Sequence, residues 1–244
     1  MSTSAKVTAR QRIENLLDDN SFVEIGAYVK ARNTDFNIQA KDTPSDGVIT
    51  GYGVINGGLV YVYSQDASVL GGSVGEMHAK KIASLYDMAM KTGSPVIGLI
   101  DSTGLRLQES VDGLNAFGQI YMKQSLASGV IPTVTAIFGN CGGGLSIVAG
   151  LSDFTFMEVE NAQLFVNSPN AITENRKEIC DNASAKFQSE EAGNVDFVGT
   201  EAEVIEGIRN LVSVLPSNNE DEASDLECYD DLNRAAEGIE NCGE

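Results

Sequence analysis

Positive charge, histidine and cysteine are all scarce in this chain, and no long apolar run interrupts it. Sixteen Lys and Arg face 35 Asp and Glu, giving a formal charge of −19 at pH 7. That balance argues against nucleic acid or an anionic membrane as the main partner. No stretch approaches the roughly 20 apolar residues that span a bilayer, so no membrane insertion by this chain is expected. The opening "MSTSAKVTARQRIENLL" lacks the apolar core of a signal peptide. Four cysteines, Cys141, Cys180, Cys228 and Cys242, have no paired spacing. A disulfide framework or zinc ribbon is therefore not expected, and free thiols in a cytoplasmic protein are. With one histidine, His78, and no serine-nucleophile motif, a Ser-His-Asp hydrolase has little support. No cluster of metal ligands appears, so no metal site is expected.

What is present suits a real core: 244 residues, 42% hydrophobic. The charge is uneven. From Ser217 to Glu244 there are ten acidic residues against one basic, Arg234. The division expected is a folded domain over residues 1–216 and a solvated acidic tail over 217–244.

Along the chain, Thr8 is placed to cap a helix carrying Ile13, Leu16 and Leu17. "SFVEIG" reads as a short strand and "ARNTDFNIQAKDTPSDG" as a loop without period. Asn56-Gly57 sits between two β-rich segments and predicts a tight hairpin. Glycines 71, 72 and 75 precede a helix with a stripe of Ile82, Leu85, Tyr86 and Ala89. "PVIGLID" and "VIPTVTAIF" read as buried strands. The first leads to a helix built on Val111, Leu114, Phe117 and Tyr121, the second to "GGGLSIVAGL". "DFTFME" and "AQLFVNSP" give two more strands, and "EAEVIEGIRNLVSVL" a helix. Strand, glycine loop, helix repeats: an α/β domain whose functional groups sit where strands give way to helix starts.

Two such places stand out. Gly142, Gly143 and Gly144 open a helix whose first amides lack intrahelical partners. Bare of side chains, those amides suit an oxygen that gains negative charge, as a thioester carbonyl does on enolisation. Close packing of the helix against a neighbouring backbone would select the same glycines. The second place, "DSTGLRLQES", offers Arg106 either as a clamp for phosphate or carboxylate or as the partner of Glu109 on the same helix face. His78 admits a catalytic reading or a hydrogen-bonded structural one. "LGGSVGEMHAKK" is not G-x-G-x-x-G, which removes a dinucleotide reading.

Several pieces, in order, resemble the carboxyltransferase subunits of biotin-dependent acyl-CoA carboxylases and decarboxylases, specifically their N-terminal half. They are "TARQRIENLLDDNSFVEIG", "SQDASVLGGSVGEMHAKKI", "AMKTGSPVIGLIDSTGLRLQESVDGL", "SGVIPTVTAIFGNCGGG", "SDFTFM" and "LPSNN". The resemblance implies a single-domain crotonase-like fold, a spiral of β-β-α units. It implies that Gly143 and Gly144 donate amides to an acyl-CoA thioester oxygen. The "STGLR" loop resembles the family's "SGGAR" loop, which makes Gly104, Leu105 and Arg106, together with Gly142, substrate-binding residues. CO2 would move between carboxybiotin and the α-carbon of a short acyl-CoA, in either direction, through an enolate. Biotin would ride on a separate biotin carrier protein. A second carboxyltransferase subunit would supply the C-terminal half in a hetero-oligomer, and the chain would be active only with it.

Thr103 and Leu105 are larger than the family's residues, Gly142 replaces a common alanine, and the segment 170–197 departs from the family pattern. Three alternatives follow: a malonate or malonyl-thioester decarboxylase subunit of the same superfamily, a non-catalytic assembly subunit, and a stand-alone hydratase or isomerase. The last needs acid-base carboxylates, for which Glu109 is the loop-adjacent candidate.

Overall fold

The computed structural model describes residues 7–32, 42–168 and 181–221, with short runs at 229–231, 233–235 and 238. Residues 169–180 and most of the 217–244 segment lie outside it, so the expected acidic tail and the first part of the divergent stretch 170–197 fall beyond the described residues.

Thr8 forms a full capping box with Gln11 at the start of α1 (Ala9–Leu16). Strand β1 (Val23–Ile25) joins the edge of a hairpin, β2 (Val48–Ile55) and β3 (Gly58–Gln65), closed by Asn56 and Gly57 at φ 49° and 85°. Two consecutive positive φ values mark the primed turn whose twist matches the strands, as that dipeptide predicts. After α2 (Glu76–Thr92) the chain lays down β4 (Val96–Ser102), α3 (Ser110–Ala127), β5 (Thr133–Gly142), α4 (Gly144–Gly150), β6 (Phe154–Glu158), β7 (Gln163–Phe165), α5 (Ala185–Glu190), β8 (Phe197–Gly199) and α6 (Glu201–Val214). The short α5 and β8 have no counterpart in the sequence expectation.

One mixed sheet results, in the order β1-β2-β3-β4-β5-β6-β8, antiparallel through the hairpin and parallel from β3 onward. β7 pairs with the far end of β5. Every residue of β4 is buried, as expected of a parallel strand covered on both faces. Alternate side chains divide into two cores. Tyr61, Tyr63, Val96 and Ile137 pack with α2, α3 and α4, whereas Val60, Val62, Ile97 and Val134 pack with α1 and α6. The result is a single α/β domain.

α3 departs from its expected stripe. Phe117 is buried, but Val111 and Leu114 are 71% and 61% exposed, and Gly113, Ala116 and Ile120 face inward instead. The reason is proximity: a Cβ on Gly113 would come within 2.9 Å of Leu105 Cδ1. A helix held that close to a loop must turn its smallest residues inward. Among the described residues no helix is long and apolar enough to cross a membrane, and no group of three or more His, Cys, Asp or Glu is arranged to hold a metal.

Candidate active site

β5 is longer than its neighbours because β7 extends the pairing through Asn140, Cys141 and Gly142. The strand is therefore held up to the residue where α4 must begin, and the three glycines make the change of direction. Each serves a different need. Gly142 would drive a Cβ to 2.5 Å from the Phe165 ring, and Gly144 to 2.7 Å from Tyr121 Oη. Both are close-packing positions. Gly143 has φ 61° and ψ −128° with open space where a Cβ would sit, so backbone conformation alone selects glycine there.

The amide of Gly143 donates to the Phe165 carbonyl at 3.0 Å. This corrects the expectation that Gly143 offers its N–H to a ligand: β7 has already engaged it. Gly144 and Leu145, the first two residues of α4, have no intrahelical acceptor for their amides. The Gly144 carbonyl accepts from Tyr121 Oη at 2.7 Å, and Ser146 Oγ donates to the Gly143 carbonyl at 2.7 Å, fixing the turn from both sides.

The second loop leaves β4 beside the first, with Ser102 in register with Cys141. A Cβ on Gly104, at φ 95°, would lie 3.2 Å from the Gly142 carbonyl oxygen, so the two loops meet backbone to backbone. Three bonds fasten this loop to residues 71–74: Thr103 N–H to Gly71 O at 2.9 Å, Val74 N–H to Gly104 O at 2.8 Å, and Arg106 N–H to Val74 O at 2.9 Å. Gly104 N–H reaches Ser102 Oγ at 3.1 Å. The Leu105 amide, between these engaged neighbours, donates to no oxygen among the described residues. Spacing in the sequence gave no sign of that free donor, because only the pairing with Val74 singles it out.

Arg106 is not an open clamp. It is buried, with Nη1 2.6 Å from Asp46 Oδ1 and 2.9 Å from Glu109 Oε1, and Nη2 2.7 Å from the Ser73 carbonyl. The expected contact with Glu109 is present, and the substrate-binding role expected of the Arg106 side chain gives way to one of holding the loop. Glu109 Oε2 also accepts the Glu76 amide at 2.6 Å, tying the start of α2 to the same centre.

Asp46, which the sequence left in an unpatterned loop, is the hub. Ser45 and Asp46 both take left-handed φ, 53° and 49°. Burial raises the Asp46 carboxyl above the usual range, while the Arg106 charge and hydrogen bond and the His78 amide pull it down. His78 donates its main-chain N–H to Asp46 Oδ2 at 2.7 Å. Its ring lies with Nδ1 3.0 Å from the Asp46 carbonyl and Nε2 3.1 Å from Gln65 Nε2. A carbonyl on one side and an amide donor on the other assign the neutral Nδ1–H tautomer. Burial, reinforced by the Arg106 charge, lowers its pKa to about 3. His78 is structural. Lys81 caps the Ser45 carbonyl at 2.9 Å and also the Val48 carbonyl, and burial lowers its pKa to about 8.

A cavity of about 390 Å³ adjoins the glycine turn through Ser146 and Phe165, with Gln188, Asn194 and Asp196 on its farther wall. The two strand ends thus meet at Gly104 and Gly142, the Leu105 loop held by the buried Arg106 network and the start of α4 by Phe165 and Tyr121.

A profile of the carboxyl transferase domain matches residues 2–242. The chain is 44% identical over 234 residues to the methylmalonyl-CoA decarboxylase subunit alpha of Propionigenium modestum, spanning 94% of this chain and 45% of that relative. It is 40% identical to the propionyl-CoA carboxylase beta chain of Roseobacter denitrificans, over 94% of this chain and 46% of the relative. It thus spans about half the length of these relatives. Among solved structures, transcarboxylase 12S with methylmalonyl-coenzyme A and methylmalonic acid bound superimposes with TM-score 0.84 at 38% identity, over 89% of this chain and 43% of that one. A Pseudomonas malonate decarboxylase hetero-dimer aligns with TM-score 0.69 at 26% identity, over 84% of this chain and 86% of the matched chain.

Proposed function

Because the chain belongs to the carboxyl transferase domain family, we propose that it is the acyl-CoA-binding half of a split biotin-dependent carboxyltransferase. CO2 would pass between carboxybiotin and the α-carbon of a short acyl-CoA. The observation that carries the reading is the meeting of two strand ends at Gly104 and Gly142, one leading to the start of α4 and the other to a loop whose Leu105 amide has no acceptor among the described residues.

In this reading the Gly144 amide, at the positive end of α4, and the Leu105 amide share the thioester carbonyl oxygen. The α-proton would pass to the biotin ureido group once that group has released its CO2. The electron pair of the broken C–H bond moves charge onto the thioester oxygen, and fixed donors lower the energy of the enolate more than of the ester. A single preorganised donor of this kind contributes about 10²–10³ in rate. Gly143 contributes its backbone turn, Gly104 and Gly142 a surface without side chains, and the Leu105 side chain part of the pocket wall. Arg106 positions the Leu105 amide by locking the loop to Asp46 and Glu109.

Biotin, on a separate carrier, supplies the exchangeable CO2 when bound. Its ureido oxygen would need a second set of donors, and with the Gly143 amide engaged the described loops offer donors for one carbonyl. In this reading that pocket belongs to the complementary half, on a partner subunit. A malonyl-thioester decarboxylase is the second reading, favoured by the similar length of the malonate decarboxylase chain in its hetero-dimer.

Calorimetry separates these. The chain alone is expected to bind methylmalonyl-CoA, with transfer appearing only after the complementary half and carboxylated biotin are added. Binding of a malonyl carrier protein without affinity for the CoA ester favours the second reading. No affinity for either ends both.

A further inference from the structure

As a hydrogen-bond donor, Gly144 meets two opposed demands. A preorganised donor must hold its direction before substrate arrives, yet glycine has the freest backbone of any residue. Two hydroxyls, brought in from either side, resolve the conflict. Ser146 Oγ donates to the Gly143 carbonyl at 2.7 Å, and the Ser146 amide reaches the same oxygen at 3.1 Å. Tyr121 Oη donates to the Gly144 carbonyl at 2.7 Å. The Gly143 carbonyl and the Gly144 N–H belong to one rigid peptide plane, and the Gly144 carbonyl belongs to the next. Both planes that flank the Gly144 α-carbon are therefore gripped by their oxygens, which fixes the direction of the N–H between them. A donor placed on a carbonyl also strengthens the N–H at the other end of the same plane, and Ser146 acts in this way on the Gly144 N–H itself.

Neither bond is a by-product of helix formation. A serine that bonds back three residues is common inside a helix, but the carbonyl held here belongs to Gly143, whose φ of 61° and ψ of −128° are not helical. Tyr121 reaches across from α3, 23 residues away in the chain, its ring centroid 5.8 Å from that of Phe117. A Cβ on Gly144 would lie 2.7 Å from Tyr121 Oη and 3.1 Å from Phe117 Cε1, so the hydroxyl uses the space that the missing side chain leaves. Burial raises the Tyr121 phenol above its ordinary range, so it keeps its proton and donates through neutral and mildly alkaline pH. We propose that Tyr121 and Ser146 are positioning residues that aim the Gly144 amide at the thioester oxygen, an inference that rests on the function proposed above. Neither side chain touches substrate in this role. Both act on the enolate more than on the ester, because the oxygen that gains charge depends more on the direction and strength of its donor.

The test compares the full chain with Tyr121→Phe and Ser146→Ala, each of which removes one hydroxyl and little volume, so that misfolding of one leaves the other to be read. Two compounds are titrated: methylmalonyl-CoA, and 2-nitropropionyl-CoA ionised at its α-carbon, which carries enolate-like charge on the thioester oxygen. Each variant is expected to bind the ionised compound about three- to tenfold more weakly, with ester affinity nearly unchanged. Ser146→Thr keeps the hydroxyl and can extend its methyl toward the cavity that Ser146 borders, and is expected to restore the affinity. In the ligand-free chain, NMR relaxation of the Gly144 amide is expected to give an order parameter of about 0.85, falling toward about 0.6 when both hydroxyls are removed. A Gly144 that stays as rigid in the folded variants, unchanged affinity for the ionised compound, or equal loss of affinity for both compounds would each overturn the inference. A wild type that binds neither compound while Gly144 loosens in the variants would instead sink the functional reading and leave the hold of the two hydroxyls on this amide standing.

Discussion

At the scale of single residues, the three glycines show how one composition conceals three physical demands. Gly142 and Gly144 answer to neighbours, the Phe165 ring and the Tyr121 hydroxyl, and Gly143 answers to its own backbone. Gly143→Ala therefore meets no clash, and its whole cost comes from a left-handed φ, about 1–3 kcal/mol. Urea unfolding should show that loss, and CoA-ester affinity should fall with it as the start of α4 moves. An alanine variant with unchanged stability would mean that the turn relaxes freely and aims nothing. His78 gives a pH prediction. Its folded pKa, about 3, lies below the ordinary 6.5, so the unfolded chain binds the extra proton. Its contribution is complete above pH 6.5 and is lost as pH falls from there toward 3, at up to about 1.4 kcal/mol per pH unit. Denaturation midpoints at pH 7, 6 and 5 should fall in that order, and less steeply in His78→Gln.

At the scale of elements, the informative unit is the tie between the Arg106 loop, α2 and the left-handed turn at Asp46. Three acceptors, on Asp46, Glu109 and Ser73, share one guanidinium fork. Arg106→Lys keeps the charge but cannot reach all three, leaving a buried acceptor unmet at a cost of about 1–3 kcal/mol. Stability and CoA-ester affinity should then fall together. A substrate clamp would lose affinity with stability intact, so the two roles are separable by one variant. α3 teaches a related lesson. Its apolar pattern is real, but the pattern has two sides, and the nearness of Leu105 decides which one is buried.

At the scale of the whole molecule, local chemistry in the sequence sufficed for much of the fold. The capping box at Thr8, the Asn56-Gly57 hairpin, the buried runs of β4 and β5 and the helices that follow them depend on contacts within a few residues. The two loops were legible as candidate sites for the same reason, since glycine clusters after buried strands mark a change of direction. Less legible was anything requiring two distant segments at once. The short α5 and β8 have too few residues for a period, and the Asp46 hub joins positions separated by up to 63 residues.

By itself, the sequence determined the class of the domain, its family likeness and the places where backbone amides are exposed, because hydrophobic period and turn chemistry act locally. Tertiary structure alone decided which amides remain free. Phe165 engages Gly143 across β7, Val74 brackets Leu105 and leaves its N–H without an acceptor among the described residues, and Arg106 is drawn inward by Asp46. Hydrogen-bond partners are settled by distance in space, and strand register, not chain neighbourhood, sets that distance.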